Sequence, residues 1–556
     1  MRIRVGLYLL ASAIVILIGQ VGRELLPPDD LREAEIAREM YEGGDYIVPR
    51  FAGLPFVEKP SAFPAVLAMA YGIVGKPSAA AAHLTAAIFA LASIGAVFLL
   101  GWRILGIEGG CLAAAILAFS PRFCLTAHKV LLDNALTAAI AFTVLFTWIA
   151  LEATDARKKN FGYAAAGFSL GVSFLFKGFV GPAIFGSGFI LYLVVSRRVD
   201  EFRQIFRPLP VIAFLVPVLT WVVPFLLQAP SYLIREFFIV NHFGRFAFRH
   251  VSHKEPVYFY LLHIWPEFAS GSILLPLAIW MAWKTRKKWE NRSGIFFLSL
   301  CVGPLALLSA SISKIEVYFL PVHPALAMLV AWAIVKGWSS RIRGVKAFAQ
   351  VIAAIAILVA AGMVGMTGII GGVGIPVIIA TTVFILSAAG CLLSIRRNEL
   401  HWISACIAAL IALAISLWFS GPIAEAEIAS RSIHRPMMEA FSRVGNRDIV
   451  LYLPGDGIRG AASFYRNRTA QEIRSPTTLV ARLIENQNKT VALVAWNAKD
   501  TLPPGLYKAA QAVDADLQIE ESVDFHHEYV LLISAKPQGQ LRPKGEKGDT
   551  GITSSQ

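Results

Sequence analysis

Charged residues are scarce in this chain. Asp, Glu, Lys and Arg make up only 16% of its 556 residues, whereas soluble domains carry about a quarter. Hydrophobic residues account for 56%, and many stand in long runs that are almost free of charge. Runs of ~20 apolar residues match the thickness of a bilayer, and backbone groups in lipid must be paired within helices. The fold class is therefore predicted to be an α-helical polytopic membrane protein.

Cysteine is scarce as well. The chain has five cysteines and no CxxC pair: Cys111, Cys124, Cys301, Cys391 and Cys406. Most of them stand in apolar runs, where a free cysteine behaves as a small hydrophobic residue. The pattern indicates neither a disulfide framework nor a zinc site.

The apolar runs predict about 13 transmembrane helices. They lie near 5–23, 80–101, 109–122, 131–151, 161–177, 179–196, 209–227, 271–283, 294–312, 315–335, 347–370, 373–395 and 401–420. The first run lacks a cleavage pattern, which favours an uncleaved span over a signal peptide.

Basic residues cluster after the even-numbered spans. The clusters lie at 157–159, 197–207, 284–292, 336–346 and 396–397. Lys and Arg collect in cytoplasmic loops, so the N-terminus is predicted to be cytoplasmic. The net charge of +14 then indicates membrane topology and no nucleic-acid partner.

Three regions are predicted to lie outside the membrane on the opposite, periplasmic face. Two are the outer loops at about 24–79 and 228–270, within a transmembrane domain spanning 1–420. The third is an α/β domain at 421–536. Its predicted strands and helices are Ile449–Leu453, Val491–Trp496, Tyr529–Ile533, 435–444 and 476–487. The Gly-, Pro- and Lys-rich tail at 537–556 is predicted to be disordered.

The first outer loop opens with a predicted helix. Its apolar face comprises Leu31, Ala34, Ala37, Met40 and Tyr41. Asp30 with Glu33 fits a capping box, and Gly43-Gly44 ends the pattern. The apolar stretch 61–75 is short and contains a proline, which favours an interfacial or re-entrant segment.

Two polar groups in this loop are candidates for chemistry. Asp29 and Asp30 precede Arg32, and paired acids suit either proton transfer or plain helix capping. Glu58 and Lys59 follow, and a lysine among apolar residues either holds a phosphate or extends its amine to the interface.

Further candidates stand near the outer ends of later spans. Asp133 is either a functional acid or an N-cap, and 241–246 alternates cations with aromatics, as suits a bound anion or ordinary lipid phosphates. Lys314 and Tyr318 have the spacing of one helix face, and Lys177 is also outer; interfacial anchoring is the alternative for all three. Because all these groups map to one face, they favour transfer from a phosphate-linked donor.

Together these motifs resemble the GT-C glycosyltransferases of the aminoarabinose transferase and protein mannosyltransferase family. The resemblance covers roughly 1–340 and rests on 29–40, 44–49 with 56–60, 132–134, 176–178, 241–246 and 313–318. Three positions depart from the family pattern: Asp30 replaces a common Glu, His83 stands where Arg is expected, and 315–317 lacks a proline.

The resemblance implies roles for individual residues. Asp29 is expected to be the catalytic acid/base or acceptor-positioning residue, and Asp133 the second catalytic acid. Residues expected to hold the donor phosphate are Lys59, Arg245, Tyr318 and Lys177. Expected supporting residues are Asp30, Arg32, Glu58, His242 and Lys314. Paired acids also allow a divalent metal ion, although no cofactor follows from the sequence.

The implied function is inverting transfer of a sugar from a polyprenyl (undecaprenyl) phosphate carrier. The expected acceptor is lipid A or another envelope glycolipid, membrane lipid is a further expected partner, and the implied location is the bacterial inner membrane. Alternatives are a protein O-mannosyltransferase-like enzyme, a flippase for lipid-linked sugars, and a scaffold whose C-terminal domain binds a partner. Charge-free late spans at 347–370 and 373–395 argue against transport, since transporters place ionisable groups near the bilayer midplane.

Overall fold

The structure is a computed structural model of the chain. It describes residues 2–244, 253–287, 292–339, 343–371, 375–397, 399–420, 428, 430–487, 489–499, 501–525 and 528–535. By internal contacts the chain divides into two units, Met1–Ser432 and Ile433–Gln556. The predicted disordered tail at 537–556 lies outside the described residues.

The first unit is built almost entirely of helices. Its α-helices are α1 (Arg2–Leu17), α2 (Asp29–Gly43), α3 (Ala62–Val74), α4 (Ala79–Ala118), α5 (Pro121–Ala127), α6 (Leu132–Glu152), α7 (Ala156–Lys177), α8 (Val180–Val195), α9 (Glu201–Ile205), α10 (Pro208–Gln228), α11 (Ser231–Arg235), α12 (Phe259–Glu267), α13 (Leu275–Lys284), α14 (Arg292–Ala310), α15 (His323–Ser339), α16 (Arg343–Gly371), α17 (Ile375–Arg397) and α18 (Leu400–Ser420). A π-helix spans Glu236–Gly244, and 3₁₀-helices span Ser272–Leu274 and Glu316–Val322.

The predicted fold class, a polytopic helical membrane protein, is confirmed. Every predicted span overlaps a helix, and within the described residues seven helical stretches are long and apolar enough to cross a bilayer. These seven are Ala79–Ala118, Leu132–Glu152, Pro208–Gln228, Arg292–Ala310, Glu316–Trp338, Gln350–Ile369 and Val377–Ser394. The shorter apolar helices include α3, the segment predicted to be interfacial or re-entrant.

Helix α4 contains two predicted spans and reverses between them. Gly106 interrupts it with φ 80°, a left-handed value that favours glycine. On either side the two arms touch backbone to backbone, because a Cβ on Gly110 would lie 2.6 Å from the Phe98 carbonyl oxygen. The predicted connection at 102–108 is therefore mostly helical, with the reversal confined to one glycine.

The outer helix α2 begins differently from the prediction. Pro28 is its N-cap and no side chain caps it, so the predicted Asp30–Glu33 capping box is wrong. Both carboxylates have other partners, described below. The predicted end is confirmed, since Gly44 closes the helix with φ 71°. Leu31, Ala34, Ala37 and Met40 of the predicted face are buried, whereas Tyr41 is half-buried. Ile36, outside the predicted face, is buried as well.

The rest of the first outer loop is fixed to α2 and to the helices around it. A short hairpin, β1 (Arg50–Phe51) and β2 (Leu54–Pro55), turns at Gly53, whose amide donates to the Glu39 carboxylate at 3.0 Å. Val57 packs in one apolar cluster with Phe174 of α7 and Trp221 of α10. These contacts hold Glu58 and Lys59 against the end of α7.

The second unit is a mixed α/β domain. Its elements are α19 (His434–Val444), β3 (Asp448–Tyr452), α20 (Asp456–Phe464), β4 (Gln471–Glu472), α21 (Pro476–Glu485), β5 (Thr490–Trp496), α22 (Pro504–Ala512), β6 (Leu517–Phe525) and β7 (Glu528–Ala535). The strand order is β4-β3-β5-β7-β6, with β3 parallel to both of its neighbours and β7 antiparallel to both of its own. All three predicted strands and both predicted helices are present.

Candidate active site

The first turn of α2 presents Asp29 together with Arg32. The Arg32 guanidinium donates to Asp29 Oδ1 at 2.7 Å, and the Asp29 side chain is 43% exposed. Both residues belong to the predicted site. Asp29 is thus an oriented carboxylate with open access, which suits a group that must meet a reactant.

Asp30 points the other way and has a different task. Its carboxylate accepts the Leu26 amide at 3.1 Å and the Val130 amide at 2.8 Å. Burial raises the pKa of Asp30 to about 6, although the two amides act in the opposite direction. Val130 lies three residues before Asp133, so Asp30 fixes the start of α2 relative to the segment that carries the second acid.

Glu33 and Lys59 form the next pair. Glu33 Oε1 lies 3.8 Å from Lys59 Nζ and 3.8 Å from Arg32 Nη2. Burial raises the pKa of Glu33 and lowers that of Lys59, and each residue's charge opposes the other's shift. Both side chains line a small pocket, whose remaining lining is Ile36, Pro49, Phe56, Pro60, Pro64 and Leu132. Glu33 is absent from the predicted site.

The third group joins three spans. Lys177, the last residue of α7, donates to Asp133 Oδ1 at 2.5 Å. The Lys177 amine also lies 4.4 Å from the centre of the Tyr318 ring. Gly178 follows with φ 60°, and its amide closes the helix on the Phe174 carbonyl, so the Lys-Gly pair ends α7 at its cation. Leu131, rather than Asp133, is the N-cap of α6, so capping does not explain this acid.

These groups lie side by side. The charge of Asp133 acts to raise the pKa of both Glu33 and Lys59, and the charge of Lys177 acts to lower the pKa of Lys59. Together they contribute carboxylates from Asp29, Glu33 and Asp133 and cations from Arg32, Lys59 and Lys177. The site therefore combines an accessible carboxylate with cations held among apolar residues, where electrostatic interactions are strong.

Lys314 lies away from this cluster. Its amine donates to the Glu255 carbonyl at 2.9 Å and to the Ser311 carbonyl. The predicted shared helix face with Tyr318 is wrong, because Ile315 is extended and the 3₁₀-helix begins at Glu316. Lys314 instead joins the second outer loop to the segment that carries Tyr318.

The second outer loop contacts the site through Asn241. Its amide donates to the Val57 carbonyl at 3.4 Å, two residues before Lys59. Glu58, adjacent to that lysine, is half-buried. The predicted Arg245 and the side chain of His242 lie outside the described part of the chain.

The opening acids do not form a chelating pair, since Asp29 and Asp30 bind different partners on different sides of α2. Among the described residues, no group of three or more His, Cys, Asp or Glu side chains is arranged to hold a metal ion.

The fold is shared with an aminoarabinose transferase of known structure. The chain superposes on the aminoarabinose transferase ArnT of Cupriavidus metallidurans, solved with undecaprenyl phosphate, with a TM-score of 0.71 at 20% identity. The match covers 96% of this chain and 97% of that one, and it shows a shared fold. Residues 58–227 match the family model of dolichyl-phosphate-mannose-protein mannosyltransferases.

The sequence relatives are undecaprenyl phosphate-α-4-amino-4-deoxy-L-arabinose arabinosyl transferases. The chain is 30% identical to that of Pseudomonas savastanoi over 62% of its own length and 65% of the relative's. It is 27% identical to that of Erwinia tasmaniensis over 76% and 77%, respectively. It thus spans somewhat less than two thirds of the first of these. The resemblance that the motifs indicate is confirmed.

Proposed function

We propose that the chain transfers a sugar from a polyprenyl phosphate, such as undecaprenyl phosphate, to lipid A or another envelope glycolipid. The observation that carries the proposal is the clustering of Asp29 and Asp133 with Arg32, Lys59 and Lys177 beside Tyr318. The names of the sequence relatives support both the carrier and the sugar class. Transfer is proposed at the periplasmic face of the inner membrane.

The chemistry follows from the charges. An acceptor oxygen attacks C1 of the sugar on the face opposite the carrier, and the bond between C1 and the phosphate oxygen breaks. The electron pair stays on the phosphate, and Lys59, Lys177 and the Tyr318 hydroxyl stabilise the developing charge. A single displacement inverts the configuration at C1.

The part played by Asp29 depends on the acceptor. A hydroxyl acceptor loses its proton to the Asp29 carboxylate, which Arg32 holds in place at 2.7 Å. An acceptor that is already an ionised phosphate needs no base, and Asp29 then orients it or its neighbouring groups. Asp133 neutralises and positions Lys177.

A protein hydroxyl is the second candidate acceptor. It is favoured by the match of residues 58–227 to protein mannosyltransferases. Both reactions use the same donor chemistry and differ in the molecule that receives the sugar. One experiment that analyses both lipids and glycoproteins therefore distinguishes them.

The test is mass spectrometry of lipids and glycoproteins from cells that lack the protein. Cells are complemented with wild type, Asp29→Asn or Glu42→Gln, the last as a control on the same helix. Wild type and Glu42→Gln should restore the sugar on its acceptor and remove accumulated carrier-linked sugar. Asp29→Asn should restore neither. A hydroxyl acceptor then lacks its base, which contributes about 10²- to 10⁴-fold in rate, and a phosphate acceptor lacks the carboxylate that orients it. Full complementation by Asp29→Asn at equal abundance contradicts the role of Asp29.

A further inference from the structure

Glu33 faces two of the cations that hold the site together. Its Oε1 atom is 3.8 Å from Lys59 Nζ and 3.8 Å from Arg32 Nη2. Both distances exceed the length of a hydrogen bond, so the carboxylate attracts the cations by charge without fixing their N–H groups. A phosphate oxygen bonds such cations at about 2.8 Å, which is a shorter and stronger contact.

The surroundings of Glu33 strengthen the effect of its negative charge. The Glu33 side chain is 4% exposed, and it lines one pocket with Lys59, Phe56 and three prolines. Interactions between charges strengthen in such apolar surroundings because little water screens them. An anion that binds Lys59 therefore meets both the attraction of that lysine and the repulsion of Glu33.

We propose that Glu33 is the built-in counter-ion of the phosphate-binding site, competing with the carrier phosphate for Lys59. This inference rests on the proposed function, which assigns the phosphate to Lys59. Before the donor binds, Glu33 balances the charge of Lys59. After it binds, Glu33 lowers the affinity of the site for the phosphate. It is a positioning and affinity-setting residue and takes no part in bond making.

The competition acts more strongly on the product than on the donor. The donor is a phosphodiester with one negative charge, whereas the released polyprenyl phosphate is a monoester with about −1.5 to −2 at neutral pH. Repulsion by Glu33 grows with that charge. Its main effect is therefore to speed release of the spent carrier.

The first experiment measures binding of polyprenyl phosphate, without sugar, to the purified full chain in nanodiscs. Wild type is compared with Glu33→Gln and with Glu42→Gln, which removes the same charge from the same helix beside Arg38. Glu33→Gln should lower the Kd by about tenfold, as expected for removing one nearby like charge. Glu42→Gln should leave the Kd at the wild-type value.

The second experiment measures steady-state transfer with added polyprenyl phosphate as a product inhibitor. In Glu33→Gln the inhibition constant should fall more than the donor KM, and kcat should fall because release is slower. A residue that merely supports the fold would not produce tighter binding together with a lower kcat. Unchanged or weaker binding of polyprenyl phosphate by Glu33→Gln overturns the inference.

The outcomes separate this inference from the proposed function. A wild-type protein that binds no polyprenyl phosphate contradicts the proposed function itself. A wild type that binds, with Glu33→Gln binding no better, contradicts the counter-ion role alone. Glu33→Asp keeps the charge on a shorter side chain and should return the Kd from the Glu33→Gln value toward that of wild type. Glu33→Met, neutral and of similar size, replaces Glu33→Gln if that variant does not purify folded.

Discussion

At the scale of single residues, the buried pair Asp133–Lys177 should be the most sensitive to substitution. The Lys177 amine lies 2.5 Å from the Asp133 carboxylate, and their side chains are 10% and 5% exposed. Removing one partner of a buried ion pair leaves the other charge without compensation, which costs about 3–5 kcal/mol. Removing both charges leaves no uncompensated charge in the interior.

We therefore predict that Lys177→Met lowers the thermal stability of the purified protein sharply, and that Asp133→Asn in the same chain restores most of the loss. Both variants should be inactive, because each loses a cation of the site. Scanning fluorimetry in detergent measures the stability. Equal melting temperatures for Lys177→Met and the double variant would contradict the buried-pair account.

Single residues of the site were partly predictable from the sequence. The sequence predicts six residues that the structure places in neighbouring groups: Asp29, Arg32, Lys59, Asp133, Lys177 and Tyr318. Glu33 was missed because a capping role accounted for it. Its position four residues after Asp29, on the same helix face, was the available signal. The partners of Asp30 could not be predicted, since Val130 is 100 residues away.

At the scale of elements, the 3₁₀-helix Glu316–Val322 matters because it carries Tyr318. Several contacts anchor it: the Tyr260 hydroxyl donates to the Ile315 carbonyl at 3.2 Å, and the Tyr260 ring stacks on Phe319. Arg122 of α5 pairs with Glu267 of α12 at 2.8 Å and lies 4.0 Å from Glu316. Arg122 thus joins two neighbouring segments to the start of this helix.

Arg122→Gln is predicted to weaken binding of polyprenyl phosphate several-fold, because the Tyr318 helix loses the charge contact of Arg122 with Glu316 at its start. Loss of a partner for the buried Glu267 should also cost about 1–3 kcal/mol of stability. Arg122→Lys should recover part of both effects. The measurements are Kd in nanodiscs and melting temperature.

Arg103→Gln is the matched control for that prediction. Arg103 pairs with Glu152 at 2.8 Å and has no contact with the Tyr318 segment among the described interactions. Its removal should leave the Kd unchanged. A wild-type Kd in Arg122→Gln would show that the Tyr318 helix does not depend on this arginine.

Elements were predicted well where a hydrophobic period carries the signal and poorly where it does not. Strand β6 was missed because it is an edge strand rich in polar residues. A register shift between Ile519 and Glu521 also breaks its alternation. The capping of α2 was mispredicted because side chains suited to capping were engaged by tertiary partners instead.

At the scale of the whole molecule, several ion pairs each join residues that are predicted to lie on the same face of the membrane. Glu201 binds Lys159 and Arg198, and Glu152 binds Arg103, all within loops or helix ends predicted to be cytoplasmic. The pairs Asp133–Lys177 and Arg122–Glu267 join segments predicted to be periplasmic. Residues predicted to share a face do meet, which supports the proposed order of spans.

This topology predicts which engineered cysteines a membrane-impermeant maleimide reaches in spheroplasts. Arg435→Cys, at a side chain 89% exposed, should be labelled in intact spheroplasts, and Lys158→Cys only after lysis. Background should be low, since four of the five native cysteines are buried. The reverse pattern would invert the proposed orientation.

The reversal at Gly106 has a consequence for how the protein is made. Neither arm of α4 can reach its place alone, because the close approach of Gly101 to Gly110 exists only when both arms are side by side. The two arms should therefore leave the insertion machinery as a pair. A variant with a bulky residue at Gly110 should therefore be degraded during biogenesis. Its defect would be a low amount of protein in the membrane, whatever its activity in sugar transfer.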